Sequence, residues 1–232
     1  MVNILVTGAT KGIGKAIAQE LKSVGTVYAT GRNVEALREY DNYCVCDLAN
    51  DIGILESFIE DKKIDILINN AGEYKYGGID TMTDEQIEHI FAVNVIAPVK
   101  LIAKASMNMK EKNWGRIVNI GSISGVMGEA NASLYSATKA GMVGLTRALA
   151  LELAQYNITV NTVNPGWVDT DMGMHSVELS EFFKEEIIET IPQRRFVKPV
   201  EIAKLVKYLI SEDAKGITGQ SINLCAGLSV GI

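Results

Sequence analysis

From Val2 to Val6 the chain runs as a short, β-rich apolar stretch, and behind it apolar residues recur at Ile13, Ile17, Ala18 and Leu21, the spacing of one helix face. The same alternation continues. Short apolar runs at Thr26 to Thr30, Tyr43 to Cys46, Ile64 to Asn69, Gly115 to Ile120, Ile158 to Asn164 and Ser221 to Leu224 bring the predicted strands to seven, with intervening stretches long enough for helical crossovers. Ile64-Asp65-Ile66-Leu67-Ile68 is nearly all apolar, as expected where helices cover both faces of a parallel sheet. The expected fold is α/β: a doubly wound seven-stranded parallel sheet flanked by helices on both faces. Two long helices are predicted, from Asp84 to about Lys112 and from about Leu134 to Tyr156, and both should flank the active site. No linker, repeat or low-complexity tract divides the chain, so residues 1–232 read as one domain. The charged stretch Val168 to Lys198, punctuated by prolines and carrying a weak helix between Val177 and Ile191, is a candidate substrate lid.

Composition narrows the function classes. At 232 residues a single α/β domain can bury one large core and leave little over for a second. A net charge of −6 argues against a partner held through its phosphate backbone, which would need clustered Lys and Arg. No nucleic-acid partner is expected. No segment reads as both long and charge-free enough to span a bilayer, and the apolar start lacks the basic residues of a signal peptide, so no membrane association and a cytoplasmic location are expected. The three cysteines, Cys44, Cys46 and Cys225, have neither disulfide arithmetic nor zinc spacing and read as small buried hydrophobes. His89 and His175 have no second ligand nearby, so no metal site is expected.

Between the first strand and its helix stands Thr7-Gly8-Ala9-Thr10-Lys11-Gly12-Ile13-Gly14, at the place where an open, Rossmann-like α/β sheet binds a dinucleotide. Gly8 suits the sharp turn, Gly12 a close approach of backbone to pyrophosphate, and Gly14 the packing of helix on strand. The helix N-terminus, flanked by Thr10, Lys11 and Ile13, offers free N–H groups to the phosphates. A tight loop without a ligand is the plainer alternative. The second strand ends in Gly31-Arg32-Asn33 rather than in the Asp or Glu that would hold a free ribose hydroxyl. Arg32, with help from Lys11, suits a 2′-phosphate, so NADP(H) is favoured over NAD; Glu35 is the dissenting residue. Asp47, followed by Leu48 after the third strand, is placed to take a bond from adenine or to cap the next helix.

Tyr135 and Lys139, four residues apart, share a helix face. A lysine there is expected to lower the phenol's pKa toward neutrality, making Tyr135 a usable proton donor to a carbonyl. Alone, the spacing is equally that of an ordinary surface pair.

Taken together, Thr-Gly-x-x-x-Gly-Ile-Gly, Asn69-Asn70-Ala71-Gly72, Asn94, Gly121-Ser122, Tyr135/Lys139 and Asn164-Pro165-Gly166 resemble the short-chain dehydrogenase/reductase family in its compact, single-domain form, over essentially the whole chain. Within it, Gly115 to Ile120, Asn161 to Met172 and Ile217 to Gln220 are most similar to 3-oxoacyl-[acyl-carrier-protein] reductases. The resemblance implies an NADP-dependent oxidoreductase moving a hydride between nicotinamide and a carbonyl or alcohol. By it, Ser122 bonds the substrate oxygen, Tyr135 delivers the proton, Lys139 contacts the nicotinamide ribose and tunes the tyrosine, and Asn94 holds a water behind Lys139; a helix-interior asparagine bonded to backbone is the alternative for Asn94. Asn70, Ala71 and Gly72 would line the adenosine ribose, and Pro165, Gly166, Val168 and Thr170 the nicotinamide side. Ser124 and Ser136 are near rivals; Ser122 is preferred for its interval of thirteen residues before Tyr135.

The stretch from Arg32 to Asp47 is shorter than is usual in the family, so its helix is expected to be clipped. A carrier-borne substrate would need a basic patch by the cleft, for which Lys110, Lys112, Arg116, Arg194 and Arg195 are candidates. The rivals are a reductase of a free small ketone, sugar, polyol or steroid, a nucleotide-sugar epimerase (disfavoured because the chain ends just after its seventh strand), and a non-catalytic NADP-binding scaffold or sensor. The resemblance also implies a homotetramer.

Overall fold

A computed structural model describes residues 1–179 and 183–230. Its seven parallel strands are β1 (Val2–Thr7), β2 (Gly25–Gly31), β3 (Tyr43–Val45), β4 (Ile66–Asn69), β5 (Gly115–Ile120), β6 (Ile158–Pro165) and β7 (Ser221–Leu224), in the sheet order β3-β2-β1-β4-β5-β6-β7. Alternate residues serve opposite layers. On one face Ile4, Val6, Ile66, Ile68 and Val118 pack against α1 (Gly12–Leu21) and α10 (Pro199–Leu209). On the other, Leu5, Leu67, Ile117 and Val160 pack against α3 (Ile52–Lys62), α5 (Ala97–Lys112) and α7 (Ser133–Leu153). Burial on both faces explains the continuous apolar runs. Cys44, Cys46 and Cys225 are buried and unpaired.

The helix after β2 is indeed clipped, to the single turn α2 (Val34–Leu37). The helix expected from Asp84 to Lys112 is interrupted: α4 (Asp84–Phe91) passes into a π-helical turn at Ala92–Ile96 before α5. As one continuous helix, Asp84–Lys112 is long and apolar enough to cross a membrane, contrary to the sequence reading. Half of its most apolar window is packed inside the fold, as in a core helix. The weak helix expected over Val177–Ile191 is divided into α8 (Asp171–Leu179) and α9 (Lys184–Thr190), with residues 180–182 outside the described set.

Polar groups as well as apolar ones hold α7 to the sheet. Asn69 Nδ2 on β4 donates to Asn119 Oδ1 on β5 at 2.9 Å, Asn119 Nδ2 donates to Thr146 Oγ1 on α7 at 2.9 Å, and Thr146 Oγ1 lies 2.7 Å from Thr162 Oγ1 on β6. All four side chains are buried. Removing one member strands its neighbours without water to replace the lost bond. Thr146→Val, which keeps the shape and removes the hydroxyl, should therefore cost about 1–3 kcal/mol of stability by urea denaturation.

Candidate active site

The strand order reverses between β1 and β4, so the loops leaving their C-terminal ends diverge and open a crevice. Asn70 Nδ2 bridges that point, donating to the Thr7 carbonyl at 2.9 Å and to the Gly8 carbonyl at 3.1 Å. The Thr7 hydroxyl accepts from the amides of Asn70 and Ala71. Gly8 (φ 65°) and Gly12 (φ 54°) occupy the left-handed region that a side chain disfavours. Gly14 is required by proximity instead: a Cβ there would stand 2.1 Å from the Gly8 carbonyl oxygen.

These loops enclose a cleft of about 450 Å³, a volume suited to a small-molecule or cofactor site. Gly8, Thr10, Lys11, Gly12, Ile13, Gly14, Arg32, Asp47, Leu48, Asn70, Ala71, Gly72, Pro165, Gly166, Val168 and Thr170 all line it, as do Ser122, Tyr135 and Lys139. Asn94 stands behind its wall. The cleft fits a dinucleotide on its own geometry: the first turn of α1 has no side-chain cap and no acidic residue, leaving its N–H groups free for an anion, and the Thr30 hydroxyl beside it is buried without a partner. Asp47 does not cap α3, whose N-cap is Asp51; its Oδ1 accepts from the Ala49 amide instead. The two cations expected at a phosphate are engaged, Lys11 with Asp171 at 3.9 Å and Arg32 with Glu73 at 3.2 Å. Glu35 sits on α2, paired with Arg38.

At the other end of the cleft α7 presents Tyr135 and Lys139. Lys139 Nζ donates to the Ile120 carbonyl at 2.9 Å and lies 5.5 Å from the centre of the Tyr135 ring. Burial pulls the Lys139 ammonium down to about 8. The phenol does not follow expectation. Burial pushes Tyr135 up to about 12, a hydrogen bond with Ser122 opposes that, and the charge of Glu129 adds to it. Desolvation outweighs that hydrogen bond, so Tyr135 is a protonated phenol at neutral pH.

Ser122 Oγ donates to Ser124 Oγ at 3.1 Å, and Ser124 Oγ donates to Glu129 Oε2 at 2.6 Å. Tyr74 donates to the other carboxylate oxygen at 2.6 Å, its ring edge-on to Tyr135 at 5.1 Å. A carboxylate only accepts, so Glu129 fixes the direction of the Ser124 proton and leaves that oxygen to receive the Ser122 proton. The hydroxyl of Ser136, the other rival serine, is buried without a partner, and the residue does not line the cleft. Asn94 lies within the π-helical turn, four residues before Pro98, whose missing N–H interrupts the helical ladder there. Its Oδ1 accepts from the Glu73 amide at 2.8 Å, and its Nδ2 donates to the Glu73 carbonyl at 2.9 Å and the Thr138 hydroxyl at 3.1 Å. A locally widened helix lets the side chain reach backbone across the cleft wall.

Sequence reasoning does not single out Glu73, Tyr74 or Glu129, although Glu73 and Tyr74 directly follow the Asn-Asn-Ala-Gly stretch and Glu129 lies between the serine and the tyrosine. The five basic residues expected to form a patch by the cleft do not line it. Lys110, Lys112 and Arg116 cluster where β5 begins, at the opposite end of that strand from Ser122. Lys112 is bound to Asp65, and Arg116 is fully buried with Glu212. Arg195 is paired with Glu201, and neither it nor Arg194 lines the cleft.

Comparison with known proteins agrees with this geometry. The family described as Enoyl-(Acyl carrier protein) reductase matches residues 8–229. The 3-oxoacyl-[acyl-carrier-protein] reductase MabA of Mycobacterium tuberculosis is 34% identical, over 99% of this chain and 93% of its own length. The 3-oxoacyl-[acyl-carrier-protein] reductase FabG of Rickettsia felis is 37% identical, over 97% and 95% respectively. Among solved structures, a variant of actinorhodin polyketide ketoreductase with NADPH superimposes with a TM-score of 0.91 at 35% identity, covering 99% of this chain and 97% of that one. With matches that run the length of the chain in both sequence and fold, this protein belongs to the short-chain dehydrogenase/reductase family.

Proposed function

We propose that this protein is an NADP(H)-dependent oxidoreductase that reduces the ketone of a 3-oxoacyl thioester, presented on an acyl carrier protein. The carrying observation is the convergence of Ser122, Tyr135 and Lys139 at one end of a glycine-cradled cleft. The named activities of MabA, FabG and the polyketide ketoreductase support the same substrate class. The family's description names an enoyl reductase, whereas MabA and FabG are 3-oxoacyl reductases that match this chain over nearly its whole length. Tyr74, Met127, Trp167, Met172 and Leu228 add apolar wall suited to an acyl chain.

The bound nicotinamide supplies the hydride. The protein's part is to meet the oxyanion. Tyr135, a phenol at neutral pH, donates its proton to the substrate oxygen. Ser122 turns its hydroxyl from Ser124 to that oxygen, and the Lys139 ammonium stabilises the tyrosinate left behind. Asn94 acts through Glu73 and Thr138, holding the cleft wall and α7 in fixed relation. Arg32 and Lys11 would take the 2′-phosphate, and the stretch 168–198, which supplies Val168, Thr170 and Met172, would serve as the substrate lid. In the cell we place the enzyme in the cytoplasm as a homotetramer, to be tested by solution mass.

Oxidation of NADPH in the presence of 3-oxoacyl thioesters, free and carrier-bound, and of free ketones and sugars tests the substrate class. Fastest turnover is expected with a thioester. Turnover confined to free ketones would overturn the assignment, and cofactor binding without turnover of any carbonyl would favour a scaffold. Preference for carrier-bound over coenzyme A-bound substrate would identify the carrier. Tyr135→Phe should lower kcat by about 10²–10⁴-fold, the contribution of a general acid, with little change in NADPH binding by fluorescence titration. The pH profile has a definite sign. Reduction needs Lys139 charged, so kcat should be flat through neutral pH and fall about tenfold per unit as pH rises past about 8, while the phenol stays protonated.

A further inference from the structure

Arg32 and Glu73 face each other from the ends of β2 and β4, and both line the cleft. Each oxygen of Glu73 has its own basic partner: Oε1 lies 3.2 Å from Arg32 Nη1, and Oε2 lies 2.9 Å from His89 Nε2 on α4. Asn94 fixes the Glu73 backbone beside them through both its amide and its carbonyl.

Resting on the reading that Arg32 recognises the 2′-phosphate, we propose that Glu73 competes with that phosphate for Arg32 and thereby sets how strongly this chain prefers NADPH to NADH. The Arg32 side chain is 63% exposed, so its pair with Glu73 is screened and weak. A phosphate offers the guanidinium a doubly charged, bidentate partner, and Arg32 transfers to it. Glu73 is not stranded by the exchange, since His89 remains on its second oxygen. Part of the phosphate's binding energy is nevertheless spent in separating Arg32 from Glu73, and a dinucleotide without the phosphate incurs no such cost. The acid thus blunts discrimination that Arg32 alone would make sharper.

Fluorescence titration of NADPH and NADH against the full chain and three variants tests this. Glu73→Gln, which retains the backbone bonds to Asn94, should tighten NADPH about two- to five-fold, the range an exposed ion pair commands, and leave NADH nearly unchanged. His89→Ala removes the rival partner, leaves Glu73 wholly to Arg32, and should weaken NADPH by up to about two-fold. Arg32→Ala serves as the reference and should lose most of the preference for NADPH. If Arg32→Ala abolishes the preference but Glu73→Gln leaves NADPH affinity unchanged or weaker, Glu73 does not compete and the inference fails alone. If Arg32→Ala leaves the preference intact, the reading of Arg32 fails and the inference with it.

Discussion

Two neighbouring parallel strands whose continuing chains turn to opposite sides cannot have their loops packed together. That constraint, at the junction of β1 and β4, governs the rest of the molecule. The gap has to be spanned by something thin and hydrogen-bonding, and here it is the amide of Asn70, laid against the carbonyls of Thr7 and Gly8. Gly14 has to pass within contact distance of the same Gly8 carbonyl, which brings the start of α1 over the gap with its N–H groups uncovered. An anion-binding cradle is therefore a by-product of closing the sheet at that point.

The chemical end of the cleft is organised by burial more than by charge pairing. Lys139 is held in surroundings that make its charge costly, and Tyr135 in surroundings that favour its neutral form. Such a pair is poised for a moment of charge separation: the phenol is unwilling to ionise until an acceptor oxygen arrives, and the positive charge that would then stabilise it already stands nearby. The acidic chain through Ser124 and Glu129 points the same way, since it orients the hydroxyl that shares the oxyanion while keeping Tyr135 protonated.

How much of this is legible in the sequence follows from where each property originates. Strand positions and the glycine turn depend on local periodicity and spacing, and all seven strands appear where the apolar runs lie. The π-helical turn at Ala92–Ile96 has a local signal in Pro98, which has no N–H to give the Asn94 carbonyl; what periodicity cannot register is that Asn94 reaches backbone 21 residues earlier in the chain. The direction of the Tyr135 shift is not legible, because four-residue spacing reports proximity to Lys139 and says nothing of desolvation. The basic residues mislead in a similar way, since closeness in sequence to Ser122 conceals a strand's length between them. The roles of Glu73 and Glu129 depend on partners that only folding assembles.

The buried polar ladder from Asn69 through Asn119 and Thr146 to Thr162 bears on accuracy as well as cohesion. An apolar helix face can slide or roll by a fraction of a turn over a sheet with little change in contact, whereas directional bonds tolerate only small displacements. The ladder acts on α7 as a key in a keyway. It stops rotation of the helix that carries Tyr135 relative to β5, whose end leads into Ser122, and so passes a tolerance of fractions of an ångström to two hydroxyls that the ladder itself never touches.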